Sequence, residues 1–162
     1  MRHLSGDLFT RFETNELVTF DAIAHVCNCQ GVMGSGIAAA IKGKYPSAFS
    51  AYIKSYENWQ AYSCGVPLLG SISYAEVDPK KFVFNMNAQD LYESGLRHLN
   101  YEALYKTLCV VKNLMLFNNL KTLGVPYNMG SDRAGGDWNV VVAMIDSVFD
   151  TSSGISVYSS KL

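Results

Sequence analysis

The stretch that decides the fold is DAIAHVCNCQGVMGSGIAAAI, residues 21–41. It opens with an apolar run at residues 22–27, which has too few polar positions for a strand with one face in solvent. That pattern predicts a strand buried on both faces of a parallel sheet. Glycines at positions 31, 34 and 36 follow, and the run IAAAI then favours the start of a helix. The stretch therefore predicts a strand, a glycine loop and a helix in that order.

This arrangement is typical of phosphate binding. The first turn of a helix leaves backbone N–H groups unpaired, and the helix dipole adds roughly half a positive charge at the same end. Glycines let the backbone approach a ligand closely and adopt positive φ angles. The alternative is a glycine turn that only makes a tight corner before the helix.

Composition restricts the classes of function. The chain has 162 residues, of which 49% are hydrophobic and 17% charged, and we expect one domain spanning residues 1–162. A net charge of −1 argues against a general nucleic-acid binder, so an anionic ligand would be held locally by loops. No apolar run approaches the roughly 20 residues that span a bilayer, and no signal peptide is evident, so we expect a cytoplasmic protein without membrane contact. The four cysteines form no C-x-x-C pair, which argues against a zinc site.

Periodicity predicts further elements along the chain. We expect helices at residues 36–42, 45–56, 101–117 and 138–149, and strands at residues 21–29, 69–77, 81–86, 122–127 and 154–159. Residues 4–9 are interpreted as a short strand or turn, and residues 10–20 and 58–67 as mainly loop. The strand at 122–127 leads into a second glycine-rich loop, NMGSDRAGG, at residues 128–136.

Alternation of strands and helices predicts an α/β fold with a mixed, largely parallel sheet and helices on both faces. In such sheets the ligand lies beyond the carboxyl ends of the strands. Two separate glycine loops are expected to open at that edge. We therefore expect a diphosphate to be held between them.

These motifs resemble those of the macrodomains, a family that binds ADP-ribose. The resemblance covers nearly the whole chain: GDLF at 6–9, HVCNCQGVMGSGIA at 25–38, NMNAQ at 85–89 and VPYNMGSDRAGGDW at 125–138. It is strongest to the branch of ADP-ribose 1″-phosphate phosphatases and the terminal ADP-ribose glycohydrolase, and it implies a three-layer α/β/α macrodomain. The chain departs from the family in its short N-terminus, so we expect the first strand to be truncated or absent.

The resemblance implies a set of ligand contacts. Asp7 would accept the adenine amino group, with the Leu8 backbone supporting the base, and Asn28 would bind the distal ribose. Asn87 and Gln89 would orient a ribose, phosphate or water, and Tyr127 or Tyr158 would cover an aromatic face. Each glycine loop would hold one side of the diphosphate through the following residues: Gly34, Ser35, Gly36 and Ile37 in the first, and Gly130, Ser131, Asp132 and Arg133 in the second.

Two residues are candidates for catalysis. His25 matches a histidine of the similar phosphatase, and a histidine that titrates near neutrality could act as acid or base on a terminal phosphate. The alternative for His25 is a core residue with a hydrogen-bonded ring. Asp132 matches a catalytic aspartate of the glycohydrolase branch and could activate water; the alternative is an aspartate that only shapes its loop. The lysine nucleophile of that glycohydrolase has no counterpart in NMNAQ at 85–89.

The sequence therefore predicts a hydrolase that acts on an ADP-ribose derivative without a cofactor or metal. Removal of the phosphate from ADP-ribose 1″-phosphate is the preferred reaction. The alternatives are a non-catalytic module that binds ADP-ribose and a hydrolase that removes ADP-ribose from modified protein or nucleic acid. A dinucleotide-binding protein of the Rossmann type is disfavoured, because the loop lacks the G-x-G-x-x-G order.

Overall fold

One sheet organises the molecule. The computed structural model describes residues 1–13, 19–90 and 97–161. Within them six strands lie in the order β1-β6-β5-β2-β4-β3. Only β3 and β4 pair antiparallel, and every other neighbouring pair is parallel. The strands are β1 (Arg2–Asp7), β2 (Ala22–Asn28), β3 (Ile72–Asp78), β4 (Lys81–Gln89), β5 (Thr122–Pro126) and β6 (Ser156–Lys161).

Helices cover both faces of this sheet. They are α1 (Leu8–Glu13), α2 (Gly36–Lys44), α3 (Pro46–Tyr62), α4 (Tyr101–Phe117) and α5 (Trp138–Val148), with a 3₁₀ turn at Thr151–Ser153. Apolar residues of α4 and α5 pack on one face, and those of α1, α2 and α3 pack on the other. The expected three-layer α/β/α architecture with a mixed, largely parallel sheet is confirmed.

The central strand β2 shows why its apolar run specified the fold. All seven of its residues are buried. Ala22, Ala24 and Val26 belong to the core cluster shared with α4 and α5, whereas Ile23 belongs to the cluster under α1 and α3. A strand with helices on both faces needs apolar side chains in both directions, so its sequence is continuously apolar instead of alternating.

The first strand is present, so the expectation that it is absent is wrong. Residues Arg2–Asp7 form β1, which pairs in parallel with β6 at one edge of the sheet. Five of its six residues are exposed. Since an exposed edge strand needs no hydrophobic alternation, the sequence carried no periodic signal for it.

Three other element boundaries differ from the expected ones. Helix α3 continues to Tyr62 instead of ending near Tyr56, so part of the expected loop at 58–67 is helical. Strand β4 runs on to Gln89 and β6 to Lys161. The last two residues of β6 lie beyond the expected strand because Ser160 is polar and Lys161 is charged, although Ser160 is buried and donates to the Gly6 carbonyl. In the described part of the chain, no helix is long and apolar enough to cross a membrane.

Candidate functional site

A cavity of about 720 Å³ opens at the carboxyl edge of the parallel strands. The last residues of β2, β4, β5 and β6 all line it: Asn28, Gln89, Pro126 and Lys161. Its volume lies within the range of roughly 300–1,000 Å³ that is usual for small-molecule sites. The cavity therefore lies at the edge where the rule for parallel sheets places a ligand.

The first glycine loop folds around the side chain of Asn28. Asn28 Nδ2 donates to the Val32 carbonyl at 2.8 Å, and Asn28 Oδ1 accepts from the Gln30 N–H at 3.0 Å. Gly31 has φ +74°, and a Cβ at this position would lie 2.8 Å from the ring of Tyr56. Glycine is thus required at position 31 both by its backbone conformation and by the close approach of α3.

The amino end of α2 faces this cavity. Gly34, Ser35, Gly36 and Ile37 all line it. Ser35 is the N-cap of α2, but its side chain makes no capping hydrogen bond, so the first-turn N–H groups are not satisfied by that hydroxyl. Gly36 has φ +59°, and a Cβ there would meet no atom within 4 Å. The backbone at this helix end is therefore open to a ligand, as anion binding requires.

The second glycine loop forms the opposite wall. Its turn is closed by hydrogen bonds from the Ser131 N–H to the Asn128 carbonyl and from the Gly136 N–H to the Gly130 carbonyl, both 2.9 Å. Gly130, Asp132 and Arg133 line the cavity, and the last two are exposed. Ser131 does not line it, and its buried Oγ has no hydrogen-bond partner within the described structure. Asp132, Arg133 and Lys161 are the charged side chains among the lining residues.

Asp7 and Leu8 lie beside the cavity but do not line it. Asp7 is the register partner of Lys161, which does. Asp7 Oδ1 accepts from the backbone N–H groups of Phe9 at 2.6 Å and Thr10 at 3.2 Å, so the carboxylate satisfies the first turn of α1. The Leu8 side chain is fully buried in the core.

His25 lies beneath the cavity instead of in its wall. Its ring is fully buried, and Nε2 is 2.7 Å from Asn85 Oδ1. Burial lowers the pKa of His25 from 6.5 to about 4, and the hydrogen bond to Asn85 offsets this only in part. The ring is therefore neutral near pH 7. This geometry matches the alternative interpretation of His25 as a hydrogen-bonded core residue.

Asn87 is also placed away from the cavity. It is 1% exposed, and its Nδ2 donates to Ser71 Oγ at 3.1 Å. Gln89, two residues further along β4, lines the cavity instead and is the register partner of Asn28. Two amide residues at adjacent strand ends, Asn28 and Gln89, thus line the cavity, and of the predicted pair Asn87 and Gln89 only Gln89 does so.

Lys161 lines the cavity but was not among the predicted contacts. It ends β6, and the rule that ligands lie beyond strand ends would have found it had β6 been given its full length. Tyr127 lines the cavity and packs between His3 and Trp138, with ring centroids 4.8 and 5.5 Å apart. Tyr158 instead stacks on Phe20, away from the cavity. No cluster of metal-ligating side chains occurs in the three described ranges.

Comparison with known proteins identifies the family. The family model described as Macro domain matches residues 24–145, which is most of the chain and includes both glycine loops. The chain belongs to the macrodomain family. The macrodomain of Mycobacterium tuberculosis DarG superposes with a TM-score of 0.77 over 99% of this chain and 97% of its own, at 22% sequence identity. At that identity the likeness concerns the fold alone.

Two curated relatives carry names of enzymes. An ADP-ribose 1″-phosphate phosphatase of Meyerozyma guilliermondii is 32% identical over 103 residues, which is 64% of this macrodomain and 50% of the relative. A DNA ADP-ribosyl glycohydrolase of Mycobacterium bovis is 27% identical over 146 residues, or 90% of this chain and 37% of the relative. This macrodomain therefore spans half or less of the length of these two relatives.

Proposed function

We propose that this macrodomain binds ADP-ribose in the cavity at the sheet edge and hydrolyses an ADP-ribose derivative there. The observation that carries the proposal is the pairing of two glycine loops across one cavity, one of them running into the open amino end of α2. Backbone N–H groups on both sides suit a diphosphate, because the negative charge is distributed over oxygens facing both loops.

The ends of the cavity suggest how the ligand is oriented. The adenosine half would lie toward Lys161 and its register partner Asp7, where Tyr127 offers an aromatic face. The distal ribose would lie over Asn28 and Gln89, whose amides provide both donors and acceptors for hydroxyl groups. In this orientation Asn87 does not contact the ligand, and Gln89 alone takes the role that the sequence gave to Asn87 and Gln89.

Asp132 is the group we propose for the chemistry. Its carboxylate is exposed in the cavity wall, whereas His25 is buried beneath it. Asp132 would accept a proton from a water molecule as the water oxygen bonds to phosphorus of the 1″-phosphate. The bond from phosphorus to the ribose O1″ breaks, O1″ keeps the electron pair and is protonated, and the products are ADP-ribose and inorganic phosphate. The name of the Meyerozyma relative supports this choice of reaction.

Removal of ADP-ribose from a modified macromolecule is the second candidate. The relative named for DNA ADP-ribosyl hydrolysis matches 90% of this chain, a larger share than the phosphatase relative does. In this reaction Asp132 would activate water for attack on C1″ instead of phosphorus, so the same residues would serve.

The test measures phosphate release from ADP-ribose 1″-phosphate by the wild-type protein and by Asp132→Asn, with ADP-ribose affinity measured by calorimetry. Asn keeps the size of Asp but cannot take a proton, so we expect turnover to fall about 100-fold or more while affinity changes less than about fivefold. Equal losses of turnover and affinity would show that Asp132 only positions the ligand.

Parallel assays distinguish the remaining candidates. Release of ADP-ribose from modified DNA or protein, without phosphate release from ADP-ribose 1″-phosphate, would select the second candidate. Binding of ADP-ribose without any turnover would make this chain a recognition module. Absence of ADP-ribose binding at millimolar ligand would contradict the proposal as a whole.

A further inference from the structure

A buried tyrosine of α3 reaches the loop that lines the cavity. Tyr52 is 1% exposed, and its hydroxyl contacts the loop at three points. It accepts from the Val32 N–H at 3.1 Å, and it lies 2.8 Å from the Asn28 carbonyl and 2.9 Å from Asn28 Oδ1. Because burial raises the pKa of Tyr52 above its usual value, the group remains a neutral hydroxyl that both donates and accepts.

We propose that Tyr52 is a positioning residue that fixes the amide of Asn28 so that its Nδ2 presents a hydrogen-bond donor to the distal ribose. The inference rests on the proposed binding of ADP-ribose. It adds a residue outside the cavity wall, since Tyr52 is not among the lining residues, and it states which end of the Asn28 amide meets the ligand.

The hydrogen bonds around Asn28 define the orientation of its amide. Oδ1 accepts from the Gln30 N–H and shares the single hydrogen of the Tyr52 hydroxyl with the Asn28 carbonyl, whereas Nδ2 faces the Val32 carbonyl. A flipped amide would set N–H against N–H at Gln30 and oxygen against oxygen at Val32. Nδ2 carries two hydrogens, and the Val32 carbonyl takes one of them. The other is the donor that Asn28, as a lining residue, offers to an oxygen acceptor in the cavity.

Tyr56 provides a matched control on the same helix. It lies one turn after Tyr52, and its ring packs under Gly31 of the same loop. Among the described residues, however, its hydroxyl has one hydrogen-bond partner, Gln60 Nε2 at 3.0 Å, in an exposed pair within α3. Replacing either tyrosine by Phe keeps the ring, so the two variants differ in whether the lost hydroxyl touched Asn28.

The experiment measures dissociation constants for ADP-ribose and ADP by calorimetry, since ADP lacks the distal ribose. We expect Tyr52→Phe to weaken the affinity for ADP-ribose about fivefold, the equivalent of one ordinary hydrogen bond. The affinity for ADP should change less than about twofold. Tyr56→Phe should leave both values unchanged. Because Tyr52 acts through Asn28, adding Tyr52→Phe to Asn28→Ala should cause no further loss.

Several outcomes would overturn the inference. These are an unchanged affinity for ADP-ribose in Tyr52→Phe, an equal loss of affinity for ADP, or additive losses of ADP-ribose affinity in the double variant. A wild-type protein that does not bind ADP-ribose would instead refute the proposed function, so the two failures are distinguishable.

A measurement on the wild-type protein covers the case in which Tyr52→Phe does not fold. The side-chain NH₂ resonances of Asn28, followed by NMR, should shift on addition of ADP-ribose and remain in place on addition of ADP. Resonances that do not respond to ADP-ribose would rule out the donor role of Nδ2 and with it the positioning role of Tyr52.

Discussion

His25 and Asp132 are the two titratable residues that the sequence offered for catalysis, and the fold separates them. His25 is fully buried on β2, where its ring is hydrogen-bonded to Asn85, whereas Asp132 is exposed in the cavity wall. A side chain that acts on a substrate must come within hydrogen-bond reach of it. We therefore expect a folded His25→Gln variant to retain turnover. A folded variant that binds ADP-ribose but has lost turnover would show that His25 takes part in catalysis.

The buried ring of His25 predicts a pH dependence of stability. Its pKa in the folded protein is about 4 against an ordinary value of 6.5. Between these two pH values the unfolded chain binds a proton that the folded protein does not. The free energy of unfolding should therefore fall by about 3 kcal/mol as pH decreases from 6.5 to 4, with no further loss from this group below that range. Urea titrations across this range check the prediction, and His25→Gln should remove most of this slope.

At the scale of elements, the glycine loop before α2 contains two glycines with different tasks. Gly36 lines the cavity and has open space at its Cβ position, whereas Gly31 has the ring of Tyr56 2.8 Å from that position. Both have positive φ angles, so a side chain costs backbone strain at either site. They differ in what the new side chain would meet, a ligand at Gly36 and the protein itself at Gly31.

Substitutions should separate these two tasks. Gly36→Glu should abolish ADP-ribose binding, because it puts a carboxylate beside the proposed diphosphate, and should cost only about 1 kcal/mol of stability. Gly31→Ala should cost about 3 kcal/mol through overpacking and strain. Calorimetry with ADP-ribose and urea denaturation of both variants measure the two effects. Unchanged affinity in Gly36→Glu would remove this loop from the proposed site.

At the scale of the whole molecule, the N-terminal segment closes one end of the sheet. Strand β1 pairs with β6, and α1 then places Leu8, Phe9 and Phe12 in the core cluster between the sheet and α2 and α3. A Cβ on Gly124 of β5 would lie 2.9 Å from Leu8, so the backbone of this central strand is packed directly against α1. The residues that flank the proposed adenine contact are thus part of the core.

Leu8→Ala tests this packing. Removal of a fully buried leucine side chain should lower the free energy of unfolding by about 3 kcal/mol. Leu116→Ala on α4 is the matched control, because Leu116 is 42% exposed and its loss should change stability by only about 0.5 kcal/mol. Urea denaturation of both variants gives the comparison. Similar small losses in the two would show that α1 is only loosely attached to the sheet.

The predicted and observed structures agree where the sequence has a strong period. Helix α4 has the expected bounds, Tyr101–Phe117, because its apolar residues recur every three or four positions on a face that packs against the sheet. The start of β1 and the end of β6 lie outside the expected elements because exposed Arg2 and His3, and buried Ser160, do not follow a hydrophobic pattern. For those strands, pairing with a neighbour supplies the backbone hydrogen bonds whatever their side chains are.

The sequence by itself determined the layered α/β fold and the sheet edge at which the cavity opens, because a doubly buried strand and two glycine loops depend on local residue types. Only the tertiary structure decided which side chains line the cavity. Gln89 lines it and Asn87 does not, and Asp132 lines it and His25 does not. The reason is the position of each residue relative to the sheet edge: Gln89 is the last residue of β4 and Asn87 lies two residues further inside, while His25 lies within β2 and Asp132 in the loop after β5.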